Sequence, residues 1–250
     1  MIAALECRRP AGAVPVWELE FQAWDEISGK HVILGDEFVS LSPAEKERAV
    51  HRNTEIFISV AEEMQFAALT MPGSRWEIAP GKAAYYWLPG EWQFRQIEVF
   101  RQMALPDLMV VANSSCILGM PAADEYVEFS YKLFDAPEEI DRQARARLQT
   151  GLGLVRKFCE AGAKLMMTAS DLADNRGLFY SPAQMERFIL PYLKTWAEEI
   201  RSAGAYAILH SDGNMWDGLE YLCESGIHAW QGVDPTAGME IRRVKDNIQG

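Results

Sequence analysis

Six short apolar runs, each separated from the next by a stretch of helical pattern, constrain the fold of this chain more than any other feature. They are Val14–Trp17, Met64–Thr70, Pro106–Asn113, Ala163–Thr168, Ala205–Leu209 and Ile227–Val233. Runs this short and this continuously apolar read as strands buried on both faces. Between them lie helix signatures. Ser42-Pro43 with Glu45 predicts a helix running to about Glu62, and Ser181-Pro182 with Gln184 predicts one running to about Ser202. In both, the serine caps the first turn and the proline sits where no N–H is needed. Arg95–Ala104 reads as helical, Tyr126 falls in the following helix, and another runs from Phe134 to about Ala161, stopping at Gly162. Two further helices are expected, one to Cys223 and one to Gly250. Strand and helix in alternation predict parallel βα units. The expected fold is therefore α/β, a TIM (β/α)8-type barrel, incomplete, with about six of eight βα units in a single domain over residues 1–250.

Composition narrows the function classes. The net charge of −12 argues against nucleic acid or an anionic membrane surface as partner, since both reward clustered Lys and Arg. No run of about 18 apolar residues crosses a membrane, and Met1–Pro10 has the wrong order of charge and apolarity for a signal peptide. A cytoplasmic location is the expectation. The four cysteines, Cys7, Cys116, Cys159 and Cys223, match no zinc-knuckle spacing and read mainly as small buried hydrophobes. Cys116, in a Ser-Ser-Cys turn, is kept as a site candidate.

In an α/β barrel, chemistry gathers where strands hand over to loops at the C-terminal face. His210 and Asp212 stand at such a handover, followed by Gly213. Two residues apart on an extended chain, they point to the same side and are candidate metal ligands. The alternative is that Asp212 caps a helix starting near Asn214. Glu18 and Glu20 follow the first strand as another same-side pair, suited to acid, base or metal-ligand work, or to capping a loop. Asp171 and Asp234, at two other strand exits, join them as catalytic candidates. Trp17, Asn113, Tyr126 and Tyr180 are the substrate-binding candidates. The segment from Met71 to Gly90, with Trp76, Tyr85, Tyr86, Trp87 and nearby Trp92, either walls a flat apolar pocket or packs on the surface.

Three segments read together carry a resemblance: Asp171-Leu-Ala-Asp-Asn-Arg-Gly177 with Ser181-Pro182, the turn His210-Ser-Asp-Gly213, and Gly232-Val-Asp-Pro-Thr-Ala-Gly-Met239 followed by Val244-Lys245. In this order and spacing the chain resembles the uroporphyrinogen decarboxylase superfamily, which includes the corrinoid-dependent methyltransferases. The likeness is good from about Ala163 to Gly250 and weak before it, although Val14–Trp17 looks like the family's first strand. The resemblance implies a TIM-type barrel with a deep cleft at the strand C-termini and a small-molecule substrate. Decarboxylases proper carry arginines after the first strand that hold substrate carboxylates. Here that stretch is Glu18-Leu-Glu-Phe-Gln-Ala-Trp24, without arginine. The family's methyltransferases bind zinc through His-x-Cys on the strand matching Leu209–Asp212, plus a distant cysteine. Here His210 matches and Asp212 stands at the first cysteine position. A His/Asp pair is a harder donor set, suiting an oxygen substrate more than a thiol; Glu18, Glu20 or Asp171 would complete it. The resemblance thus implies methyl transfer involving a corrinoid protein or folate, with zinc as the expected metal. The alternatives are a decarboxylase of a porphyrinogen or smaller acid and a non-catalytic binding remnant. Because the family continues with two more strand–helix units, the chain is expected to form a homo-oligomer or to lack a C-terminal piece.

Overall fold

The computed structural model describes all residues except Glu20, Pro80, Leu105, Gln249 and Gly250, so the expectation for Glu20 lies outside the described residues. The chain divides into two compact units, one of Met1–Asn113 with Lys157–Leu165, the other of Ser114–Arg156 with Met166–Gly250.

The first unit opens with three short helices, α1 (Ile2–Leu5), α2 (Trp24–Ser28) and α3 (Gly35–Ser40), before the long α4 (Pro43–Met64). The capping box forms as the sequence predicts, with Ser42 and Glu45 bonding reciprocally. Strand β1 (Ala68–Thr70) follows, then β2 (Glu77–Ala79) and β3 (Lys82–Ala83), α5 (Trp92–Met103) and β4 (Met109–Asn113). Strands β1 and β4 pair in parallel, Leu69 opposite Val110. The expected first strand, Val14–Trp17, is reduced to one parallel bridge, Val16 to Phe66. Nor does it enter the core: Val14 and Val16 are 81% and 49% exposed. Pro15 supplies no N–H for a ladder, so a single residue pairs. The segment from Met71 to Gly90 is less irregular than expected, since it holds the β2–β3 antiparallel hairpin. Its aromatics divide between packing and solvent. Tyr86 stacks on Trp24, donates its hydroxyl to Thr70 O and is half-buried; Trp87 is buried, while Trp76 and Tyr85 are exposed.

Asn53 ties α4 to the chain before it. Its fully buried side chain accepts from the N–H of Ile33 at 3.0 Å and donates to the same residue's carbonyl at 2.8 Å. Asn53→Ala removes the partners of both backbone groups. It is expected to cost about 2–4 kcal/mol, read as a shift of the urea midpoint at unchanged slope.

The second unit contains α6 (Tyr126–Asp135), most of α7 (Pro137–Ala161), β5 (Leu165–Ala169) from Met166 onward, a small hairpin β6 (Ala173–Asp174) and β7 (Gly177–Leu178), α8 (Pro182–Gln184), α9 (Leu190–Ser202), β8 (Tyr206–His210), α10 (Leu219–Glu224), β9 (Ala229–Gln231) and α11 (Ile241–Ile248). Buried Ile140, Ala144, Leu148, Leu152, Val155 and Phe158 recur every three or four residues along α7, the stripe of a core-facing helix. Between α8 and α9 the chain makes one π turn, Met185–Ile189. Pro191 explains it: without an N–H it cannot continue the i→i−4 ladder. Strands β5, β8 and β9 adjoin in sequence order, with His210 registered beside Gln231 in the parallel β8–β9 pair.

Each unit thus carries three strand positions in sequence order. Five of the six apolar runs overlap the strands β1, β4, β5, β8 and β9, and the sixth is the Val16 bridge, an α/β fold with a TIM-type barrel present in part. The cysteines depart from expectation. Cys116 is buried, Cys159 is half-buried, and Cys7 and Cys223 are exposed. Burial pushes the Cys116 thiol well above its ordinary value despite a hydrogen bond with Thr168, which makes it inert rather than nucleophilic. No helix among the described residues is long and apolar enough to cross a membrane.

Candidate metal centre

Three strand exits of the second unit interlock. After β8, Ser211 is buried; its N–H donates to Gln231 O at 3.1 Å and its Oγ accepts from the N–H of Leu172 at 3.0 Å. Asp212 donates its N–H to Asp171 Oδ1 at 2.9 Å, and Asn214 donates to Asp174 O at 2.7 Å. Trp230 Nε1 donates to Ser211 O at 2.9 Å. Two glycines make the approach close enough. Gly213 (φ +87°) lies where a Cβ would come within 2.4 Å of Ala173 O, and Gly232 (φ +108°) where one would come within 2.4 Å of Ser211 O. Only glycine takes such backbone angles freely and leaves that space.

This packing brings together Asp171, His210 and Asp212, each offering a ligand atom, all within 4.8 Å of one another. The ring of His210 is oriented by Gln231, to whose Oε1 its Nδ1–H donates. Nε2 is the ring nitrogen that faces the two aspartates. Nε2 lies 3.7 Å from Asp171 Oδ1 and 3.8 Å from Asp212 Oδ2, too far for hydrogen bonds. His210 Nε2 and two carboxylate oxygens therefore converge with no hydrogen bond among them, a donor set able to hold a cation.

The other candidates are placed as follows. Asp234 caps a short turn, its Oδ1 accepting from the N–H of Thr236 at 2.8 Å and from its hydroxyl at 2.6 Å. Those bonds hold its carboxyl below the ordinary aspartate value. Tyr180 is buried, with its hydroxyl donating to Gly119 O at 2.8 Å. Tyr126 is exposed and meets Phe179 edge-on at 5.1 Å. Glu18, Trp17 and Asn113 belong to the first unit. Glu18 is exposed, Trp17 Nε1 donates to Thr70 Oγ1 at 2.8 Å, and Asn113 ends β4 half-buried.

Sequence reasoning missed Gln231 and Arg147. Gln231 carries a signal in retrospect, a polar residue inside an apolar run one strand from His210. Arg147 lines a cavity of about 570 Å³ that Asp171 also lines. Its place on a helix, remote from any strand exit in sequence, hid it.

No curated protein matches the chain by sequence. Among solved structures, a methyltransferase from Methanosarcina mazei superposes with a TM-score of 0.68 at 15% identity, covering 99% of this chain and 78% of that one. An N-acetylneuraminate lyase from Fusobacterium nucleatum gives 0.42 at 14% identity, over 79% and 52% of the two chains. A 3-dehydroquinate dehydratase from Geobacillus kaustophilus gives 0.40 at 13% identity, over 83% and 60%. The first likeness supports the fold, and the other two add nothing to it. The family model described as uroporphyrinogen decarboxylase (URO-D) matches residues 116–250, more than half of the chain and the whole stretch that carries the interlocked strand exits. The chain belongs to the uroporphyrinogen decarboxylase family.

Proposed function

We propose that this chain is a metal-assisted methyltransferase within its family, moving a methyl group between a small oxygen-bearing substrate and a corrinoid protein or folate. The observation that carries the reading is the convergence of His210 Nε2 with Asp171 Oδ1 and Asp212 Oδ2 at 3.7 and 3.8 Å. The donors suit a divalent cation. Zinc bonds of about 2.0–2.2 Å to nitrogen and oxygen ask these atoms to close by only a few tenths of an ångström. One nitrogen and two carboxylate oxygens form a harder set than thiolates, matched to an ether or hydroxyl rather than a thiol. The chemistry such an ion supplies when bound is Lewis-acid polarisation of a substrate oxygen.

The chain's own residues supply the rest. Gln231 fixes the tautomer and orientation of His210, the service that partners behind ligating histidines perform. Asp171 and Asp212 bring two negative charges, so the filled site carries no large net charge. The glycine-tight packing of the three exits holds these donors with little freedom to move. Support for methyl transfer over decarboxylation comes from the arginine-free stretch Glu18–Trp24, unsuited to a polycarboxylate.

Calorimetric titration with zinc is expected to show one exchangeable site in the wild type. His210→Ala and Asp171→Ala should each weaken it at least tenfold, and affinity should fall on acidification, because a protonated imidazole cannot ligate. Equal affinity in wild type and His210→Ala overturns the metal reading. Transfer is then tested by methylation of reduced cobalamin from methyl-ether donors; a rate unchanged in His210→Ala overturns the assignment of the reaction to this site.

A further inference from the structure

The cavity that Asp171 shares with the candidate metal centre has its own chemistry. It is walled by apolar Leu118, Met120 and Phe129 and by charged Glu125, Arg147 and Asp171. At about 570 Å³ it lies in the size range of pockets that hold small organic ligands, roughly 300–1,000 Å³. Its position is locked to the metal centre by backbone: Met120 donates its N–H to Asp171 O at 2.7 Å. Gly119 lets the loop lie down there, since a Cβ would already touch the backbone of Asp171 at 3.3 Å.

Arg147 is the one cation among the described residues lining this space, and it forms no ion pair with any described carboxylate. It rises from α7 one turn after Gln143, so both face the cavity from the same side of the helix. A guanidinium left without a partner beside an apolar wall is the natural receptor for a carboxylate, which it binds through two parallel hydrogen bonds. The two acidic residues orient such a ligand. Glu125 and Asp171 repel an anionic group everywhere except at Arg147, while a neutral oxygen is tolerated next to Asp171.

We infer that this cavity binds a small monocarboxylic acid, its carboxylate on Arg147, its apolar body along Phe129 and Met120, and a neutral ether or hydroxyl oxygen at Asp171. The inference rests on the metal-centre reading only for the role of that last oxygen. Carboxylate capture by Arg147 stands without it.

The test uses chelator-treated, metal-free protein and two probes of nearly equal shape, 4-methoxybenzoate and 4-methoxybenzamide, titrated by calorimetry. Wild type is expected to bind the acid at least tenfold more tightly than the amide. Arg147→Ala should lose that preference, weakening the acid at least tenfold and leaving the amide unchanged. Arg147→Lys should keep part of it, and Glu125→Gln should tighten the acid. Arg147 is exposed and unpaired, so these variants should keep the wild-type circular dichroism and melt. Failure of the wild type to bind the acid, equal affinity for acid and amide, or an undiminished preference in Arg147→Ala each overturns the inference. Zinc titration of the same variants separates the two readings. Acid binding lost in Arg147→Ala with zinc binding intact supports the carboxylate site, whatever His210→Ala does to zinc.

Discussion

Gly213→Ala is expected to disrupt the second unit, with a loss of about 3–5 kcal/mol and a melt that is broad or far below wild type. Two costs combine. At φ +87° a residue with a Cβ holds a backbone conformation that costs on the order of 1–3 kcal/mol. The added methyl would also sit 2.4 Å from Ala173 O, 2.6 Å from Ala173 C and 2.9 Å from Asp174 O. All three are backbone atoms of the neighbouring strand exit, so no side chain can swing aside. Gly153→Ala provides the contrast. Gly153 lies inside α7 with nothing within 4 Å of a built Cβ. That substitution should stabilise by about 0.5–1 kcal/mol. Denaturant unfolding of both variants reads the difference. Equal stability of the two would mean that the strand exits are packed far less tightly than described.

Purified protein is expected to leave uroporphyrinogen unconverted, although the chain belongs to the uroporphyrinogen decarboxylase family. The family resemblance places substrate-binding arginines after the first strand, where this chain has Glu18-Leu-Glu-Phe-Gln-Ala-Trp24. The structure gives Gln22 and Trp24 other work. Glu18 is exposed, Gln22 O accepts from the Tyr85 hydroxyl at 3.0 Å, and Trp24 is buried against Phe57. Each missing charge-assisted contact to a carboxylate forfeits roughly 1.5–3 kcal/mol. Several together remove many orders of magnitude in rate. Chromatographic detection of coproporphyrinogen, above that made by a His210→Ala control, would contradict this.

The strands and the candidate metal centre were legible to different degrees, for physical reasons. Strands β4, β5 and β8 were readable because a strand buried on both faces must be apolar throughout, and such runs are rare by chance. The long helices declared themselves by serine caps, Pro43 and Pro182, and by apolar spacing. The Val14–Trp17 run misled because its apolar residues are exposed, and pattern alone cannot report that. Helices α1 to α3 lack strong caps and escaped notice. So did the β6–β7 hairpin, whose two-residue strands are set by the turn at Asp174, where Oδ1 accepts from the N–H of Arg176. His210 and Asp212 were visible because a strand exit is where ligands gather. Choosing Asp171 over Glu18 as the residue beside that pair needed coordinates, since it depends on which loops glycines allow to touch. Gln231 and Arg147 matter through what they face, a property that no single segment of sequence carries.

The interlocked exits have a thermodynamic consequence. Asp171 and His210 stand 39 positions apart in the chain, and Asp212 and Asp171 meet through a backbone N–H that exists as a donor there only in the finished fold. The unfolded chain therefore offers a cation no comparable set of donors. Anything that occupies the centre binds the native state alone and draws the folding equilibrium toward it by mass action. For a cation held there, occupancy and conformational stability would be one coupled quantity, and this unit's resistance to unfolding would rise with the amount of that ion its surroundings supply.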